Sequence, residues 1–183
     1  TKGLRNPVPS WCEFYVTNTW GGVLDLMAGD GGEKPSALPI LTDNDALRPA
    51  IAKLWQWSNW NSKRNLATLY SAAMGDAFIV VVDSPAAGKA YMQVRRPSEF
   101  TDLEWDDFGH VKQATMEYKA EDERGVAYTY KQVIEHPAVW GGAFTRYSTY
   151  KDNRPFAYPE NVQDGQATWQ WQVPYDFVPV VHI

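Results

Sequence analysis

The sequence predicts an α+β fold, with N-terminal helices packed on a mostly antiparallel β-sheet region. Three observations predict it. Apolar residues recur at helical spacing up to Gly75. Beyond Gly75 the pattern changes to short β-branched and alternating aromatic runs. Turn signals then separate those runs at hairpin distances, so neighbouring strands pair antiparallel. The chain of 183 residues suits one domain, helical over about 9–75 and β-rich over about 76–183.

The first helix is expected in "SWCEFYVTNTWGG". Ser10 and Glu13 have capping-box spacing, Trp11, Phe14, Tyr15 and the Trp20 region share a face, and Gly21-Gly22 ends the run. The Gly- and Pro-rich stretch over 28–39 reads as a loop. "TDND" at 42–45 supplies N-cap candidates for a second helix, in whose first turn Pro49 is tolerable. Ile51, Leu54 and Trp55, and then Leu66, Leu69, Tyr70, Ala73 and Met74, recur at helical spacing. The polar patch "SNWNSKRN" between them predicts a bend or two helices in series. Gly75 fits the position just past a last turn.

"AFIVVVD" then reads as a buried strand, "SPAAG" as a turn, and "KAYMQVR" as a paired strand with either Ala90 or Tyr91 on its inner face. Pro97 stops that strand, because it has no N–H to give a ladder. "HVKQATMEYKA" and "VAYTYKQVIE" form a hairpin around "EDERG", with Ala114, Met116 and Tyr118 on one face. "AFTRYSTYK" and "ATWQWQV" complete five or six strands. In "WQW" strict alternation places Trp169 and Trp171 on one face and Gln170 on the other.

Composition narrows the chemistry. Net charge is −5, so no general attraction to a phosphate backbone is expected. Aromatic residues make up 14% of the chain, an unusually large share that delivers much buried area per residue. The single cysteine, Cys12, excludes an internal disulfide framework and reads as a packed core thiol rather than a nucleophile served by His110, His136 or His182. No stretch approaches the roughly 18 apolar residues of a membrane span. "DLEWDDFGH" offers Asp102, Glu104, Asp106, Asp107 and His110 to a cation, but it lacks the calcium-loop pattern and reads as a solvated turn. The three histidines have no metal-ligand spacing. "AGDGGEKPS" lacks P-loop spacing, and no G-x-S-x-G elbow occurs. Accordingly no catalytic residue, cofactor or metal is expected. Lys63-Arg64 beside Trp60 could touch nucleic acid by charge and stacking, but a solvated helix surface explains them better, because no second basic stripe supports the contact. Tryptophan density leaves a carbohydrate-binding or other interaction module as the alternative to a structural role.

The order of "NPVPSWCEFYV", "LWQWSNWNSKRNLATLYSAAMGDAFIVVV", "VRRPSEFTDLEWDDFGHVKQATMEYK" and "PYDFVPVVHI" resembles the wing region of tailed-phage portal (connector) proteins across nearly the whole chain. The helix–Gly75-Asp76–strand joint, the strand ending at Pro97 and the closing "FVPVVHI" carry most of the likeness. The resemblance implies a homo-oligomeric ring of about twelve subunits at one capsid vertex. It also implies double-stranded DNA passing through during packaging, and a terminase motor, capsid and head–tail adaptor proteins as partners. The setting would be the virion of a phage or prophage, and the host cytoplasm during assembly, with no membrane and no enzymatic activity. A start without Met and an end on "DFVPVVHI" read as a piece of a longer protein, with stem, clip and crown outside this stretch. Trp55, Trp57 and Trp60 would then join helix to sheet. Residues two apart on a helix point in opposing directions, so at least one ring lies outside the core. Trp57 or Trp60 is the expected outward one, forming a subunit or partner contact.

Overall fold

A computed structural model of the chain describes residues 8–19, 44, 46–84 and 87–183. The expected α+β architecture is present, with helices packed on a sheet and further antiparallel sheets following. The chain forms two compact units. One comprises Thr1–Asp83, Lys89–Arg95 and His182–Ile183, and the other Ser84–Gly88 and Arg96–Val181.

In the first unit, α1 spans Val8–Thr19, so Ser10 lies inside the first turn and does not cap it. Trp11, Phe14 and Tyr15 do share a face, but that face is exposed, whereas Cys12 is buried. The expected stop at Gly21-Gly22, the ring of Trp20 and the loop over 28–39 fall outside the described residues. α2 spans Arg48–Trp57 with Pro49 in its first turn, and Leu47 at its N-cap makes no side-chain cap bond. Of the "TDND" candidates, Asn44 instead accepts the Ala46 N–H at 3.0 Å in the preceding turn. α3 spans Trp60–Met74.

The helices break at Ser58-Asn59 because Asn59 adopts φ 48°, a left-handed conformation that asparagine tolerates better than most residues. Gly75, at φ 90°, ends α3 in the same region, where its missing Cβ matters, and its N–H bonds the Ser71 carbonyl at 2.9 Å.

Strands β1 (Phe78–Ser84) and β2 (Lys89–Arg95) join β11 (Val180–His182) in the order β11-β1-β2. On β2 the buried residues are Met92 and Val94, so the Ala90 register faces inward and Tyr91 does not. Helices α2 and α3 pack on β2. The core gathers Trp55, Trp60, Ala67, Met92 and Val94, with Leu54, Leu66, Tyr70, Ile79 and Val81 against it. Leu69, Ala73 and Met74, expected on the apolar face of α3, are exposed, and fully buried Ala67 marks the true contact line. A small residue there lets α3 approach its neighbours closely.

The second unit is built on a larger antiparallel sheet. Its strands are β3 (Phe100–Trp105), β4 (Val111–Glu121), β5 (Ala127–Glu135), β6 (Thr145–Lys151) and β10 (Gln170–Val173), ordered β10-β6-β5-β4-β3. A short β7 (Arg154–Pro155) pairs with β6, and β8 (Val162–Gln163) pairs with β9 (Gln166–Ala167). Register aligns Leu103, Ala114, Ile134, Tyr147 and Trp171 in one row across five strands. The opposite face carries Gln113, Glu135, Arg146 and Gln172 in a polar row. There the Arg146 guanidinium meets Glu135 at 2.8 Å and lies 4.7 Å over the Trp140 ring of α4 (Pro137–Trp140).

Irregular chain after β6 is tied down by two fully buried threonines on that strand. The Thr145 hydroxyl donates to the Phe177 carbonyl at 2.8 Å. The Thr149 hydroxyl donates to the Phe156 carbonyl at 2.9 Å and accepts from the Asn161 amide at 3.3 Å. Neither threonine stood out in the sequence, since a Thr in a strand usually signals only β propensity.

Candidate subunit-contact surface

On α2, Trp55 and Trp57 are 200° apart at 100° per residue, so only one of them can face β2. Trp55 does, with 4% of its surface exposed, and Trp57 turns outward with 39% exposed. Trp60 opens a new helix after the Asn59 kink. Its direction is therefore reset, and it returns beside Trp55 with ring centroids 5.5 Å apart and planes tilted by 32°. At 4% exposure Trp60 has no face left for a partner, so of the two expected contact residues only Trp57 presents a ring to solvent. Stacking of nucleic acid on Trp60 beside Lys63-Arg64 is excluded by the same burial.

The kink does a second job. The Ser58 hydroxyl, buried in the α2–α3 turn, accepts the Met92 N–H at 2.8 Å and donates to the Leu54 carbonyl. Strand β2 is an edge of its sheet, and Ser58 satisfies a backbone donor that would otherwise be buried unpaired. Nothing in the sequence singles out Ser58, because a Ser between helices reads as an ordinary turn residue.

The Gly75-Asp76 joint, the strand before Pro97 and the closing His182-Ile183 meet in this unit. After Gly75-Asp76 the chain enters β1, and Ala77 and Ile183 exchange both backbone bonds, at 2.8 and 2.9 Å, as an antiparallel pair does. His182 lies 2.6 Å from an Asp76 carboxylate oxygen, and its ring stacks on Phe78 with centroids 4.9 Å apart. The strand that stops before Pro97 pairs on the other side of β1. Segments about a hundred residues apart in sequence thus make one sheet.

The remaining candidates resolve separately. In the acidic run, Asp102 and Glu104 lie on β3 rather than in a turn, and only 106–110 turns. Asp106 accepts the Phe108 and His110 N–H groups at 2.9 and 2.7 Å and meets the His110 ring at 3.1 Å. The His110 backbone bond, with further help from its ring and from Phe108, holds the Asp106 carboxyl below its ordinary range. Among the described residues no three His, Cys, Asp or Glu side chains gather as a metal site. His136 accepts the Ala138 N–H and caps α4, and Cys12 is buried.

Trp169 and Trp171 do not share a face as alternation predicts. Trp171 stacks on Tyr147 at 5.2 Å and Trp169 meets Tyr150 at 6.0 Å, and those tyrosines have opposite parity on β6. Regular strand begins only at Gln170, so alternation does not reach Trp169. Tyr118, Tyr130 and Tyr158 form a second run of touching rings, and burial pushes the Tyr158 phenol above its ordinary pKa. Of these rings Tyr147 and Tyr158 are buried, whereas Trp169 is exposed and the others are half-buried. Among the described residues no helix is long and apolar enough to cross a membrane.

No protein-family model matches this chain, and no curated protein matches it significantly.

Proposed function

We propose that this chain is the wing region of a tailed-phage or prophage portal protein, a structural, non-enzymatic part of the DNA-conducting ring at the capsid vertex. The observation that supports this reading best is the convergence of the three resemblance-bearing segments. The Gly75-Asp76 joint, the strand before Pro97 and the closing His182-Ile183 lie together around β1 under the tryptophan-packed helices. A shared sheet gives a physical reason for those segments to occur in that order and spacing. Stiff aromatic packing suits a wall that bears load, because large rings bury much area at low rotamer cost. Trp57, exposed on α2, is the residue of the original pair assigned to subunit or partner contact.

The test is the assembly state of the full-length gene product, by native mass spectrometry and electron microscopy. A ring of about twelve copies is expected, held by one repeated heterologous contact. Monomers or a closed dimer at all concentrations would remove the reading, and saturable binding of soluble glycans would favour the carbohydrate-module alternative.

A further inference from the structure

Helix α1 packs on α3 with Cys12 buried, yet its other side carries three large rings. Trp11, Phe14 and Tyr15 are 66, 62 and 56% exposed, and at 100° per residue they fan over about 100° of the helix. Phe14 and Tyr15 touch edge to face, with centroids 5.9 Å apart, and half-exposed Val8 extends the stripe. Glu13, the one charged residue of α1, lies about 200° from both Trp11 and Tyr15, so the stripe is uncharged. A single exposed apolar residue needs no explanation, but a contiguous run of rings marks an interaction surface.

Beside the stripe a cleft of ≈ 370 Å³ runs between α1 and α3, lined by Tyr15, Thr19, Ala67, Thr68, Ser71 and Ala72 among others, with no charged side chain among the described residues. Tyr15 belongs to both features, since its ring ends the stripe and walls the cleft. Ridge and groove therefore lie side by side on one face, an arrangement that a second copy turned through half a circle fits. With Tyr15 on the twofold axis and the two α1 helices antiparallel, Trp11 of each copy falls opposite Thr19 of the other, at the mouth of the cleft. Each such pair lies about 6 Å from the axis at 1.5 Å per residue.

We infer that two copies of this chain pair face to face through α1, each seating Trp11 in the α1–α3 cleft of the other. The area suits a second copy. The three exposed rings alone offer about 280–460 Å² per copy, at roughly 150–250 Å² for a whole ring. Val8 and the cleft walls raise this toward the roughly 800 Å² per partner of a specific interface. The contact is isologous, so both seats fill together and it closes at two copies. It is separate from the Trp57 surface on α2 and does not rest on the portal reading. Within a ring it would join one ring to a second and add nothing to the ring's own closure.

Sedimentation velocity on the 183-residue chain tests it. The wild-type chain should pass from monomer to dimer as its concentration rises to about 0.5 mM, and form nothing larger. Trp11→Asp (no ridge) and Ala72→Trp (filled cleft) should each weaken the dimer roughly tenfold or more. Both positions are exposed, so folding is retained. Trp57→Ala, on α2, should leave the dimer unchanged. A wild-type chain that stays monomeric, species larger than the dimer, a dimer that either α1–α3 variant leaves intact, or one that Trp57→Ala removes would each overturn the inference. A monomer whose Trp11 indole N–H is shielded from exchange with water would do so by giving the stripe to another part of the same chain. Dimers of this chain beside a full-length gene product that makes no ring keep the contact and remove the portal reading. Full-length rings beside a chain that stays monomeric do the reverse.

Discussion

In the first unit, Trp55 and Trp60 lie inside a cluster with Ala67, Met92 and Val94, and their work is to fill volume between two helices and a sheet. In the second, Tyr147 and Trp171, or Tyr118, Tyr130 and Tyr158, touch along a sheet, and the fully buried residues beside them include Thr145 and Thr149. The first core depends on shape, with Ser58 as its buried hydrogen-bonding joint. The second depends on hydroxyls that satisfy carbonyls of irregular chain. The difference follows from what each must hold. Helices satisfy their own backbone, so only volume has to match, whereas the segment after β6 has little regular structure and its polar backbone needs side-chain partners.

The strongest way to break this contrast is Trp60→Ala, which should cost about 3–5 kcal/mol of stability in a denaturant titration, against about 0.5 kcal/mol or less for Trp57→Ala. Equal losses for the two would mean that the kink does not sort the rings as described. Next, Thr149→Val keeps the volume and removes the peg. It should cost about 1–3 kcal/mol and speed amide exchange at Asn161 and Phe156, and unchanged exchange would place the hold elsewhere. Ser58→Ala should cost a similar or smaller amount, within about 1–3 kcal/mol, by leaving the Met92 N–H unpaired, with Ser58→Thr recovering part of it. A loss confined to helix content, with Met92 still protected from exchange, would argue against the hydroxyl as the edge partner.

The smallest expected effect is on the Asp106 turn. Its carboxyl titrates below the ordinary 3.8, so its contribution is fully present above that value and fades as pH falls through the lowered pKa. Amide shifts of Phe108 and His110 should therefore stay constant down to about pH 4 and move together below it. Shifts that do not move below that range would assign the turn to a group other than the Asp106 carboxyl.

Much of the architecture was legible from local rules. Period switching at Gly75, the break within "SNWNSKRN", the hairpin around "EDERG" and the stop before Pro97 each express a backbone constraint carried by a few adjacent residues. Boundaries slipped where flanking context mattered, as at Ser10, which α1 absorbed into its first turn. Of the candidate contact pair, helix geometry required that one ring point outward but could not choose it, since the choice depends on how far the chain turns at Asn59.

What the sequence alone determined, then, is the α+β class, the order of elements and the presence of an outward tryptophan. Those follow from periodicity and turn chemistry, which act within a few residues. Only the tertiary structure decided that Trp60 is inside and Trp57 outside, that Ala67 rather than Leu69 or Met74 is the contact line of α3, and that Ser58, Thr145 and Thr149 hold distant backbone. Those choices depend on which groups meet in space, at separations from 7 residues for Thr149 and Phe156 to 34 for Ser58 and Met92. A side chain's neighbours in space are not written in its neighbours in sequence.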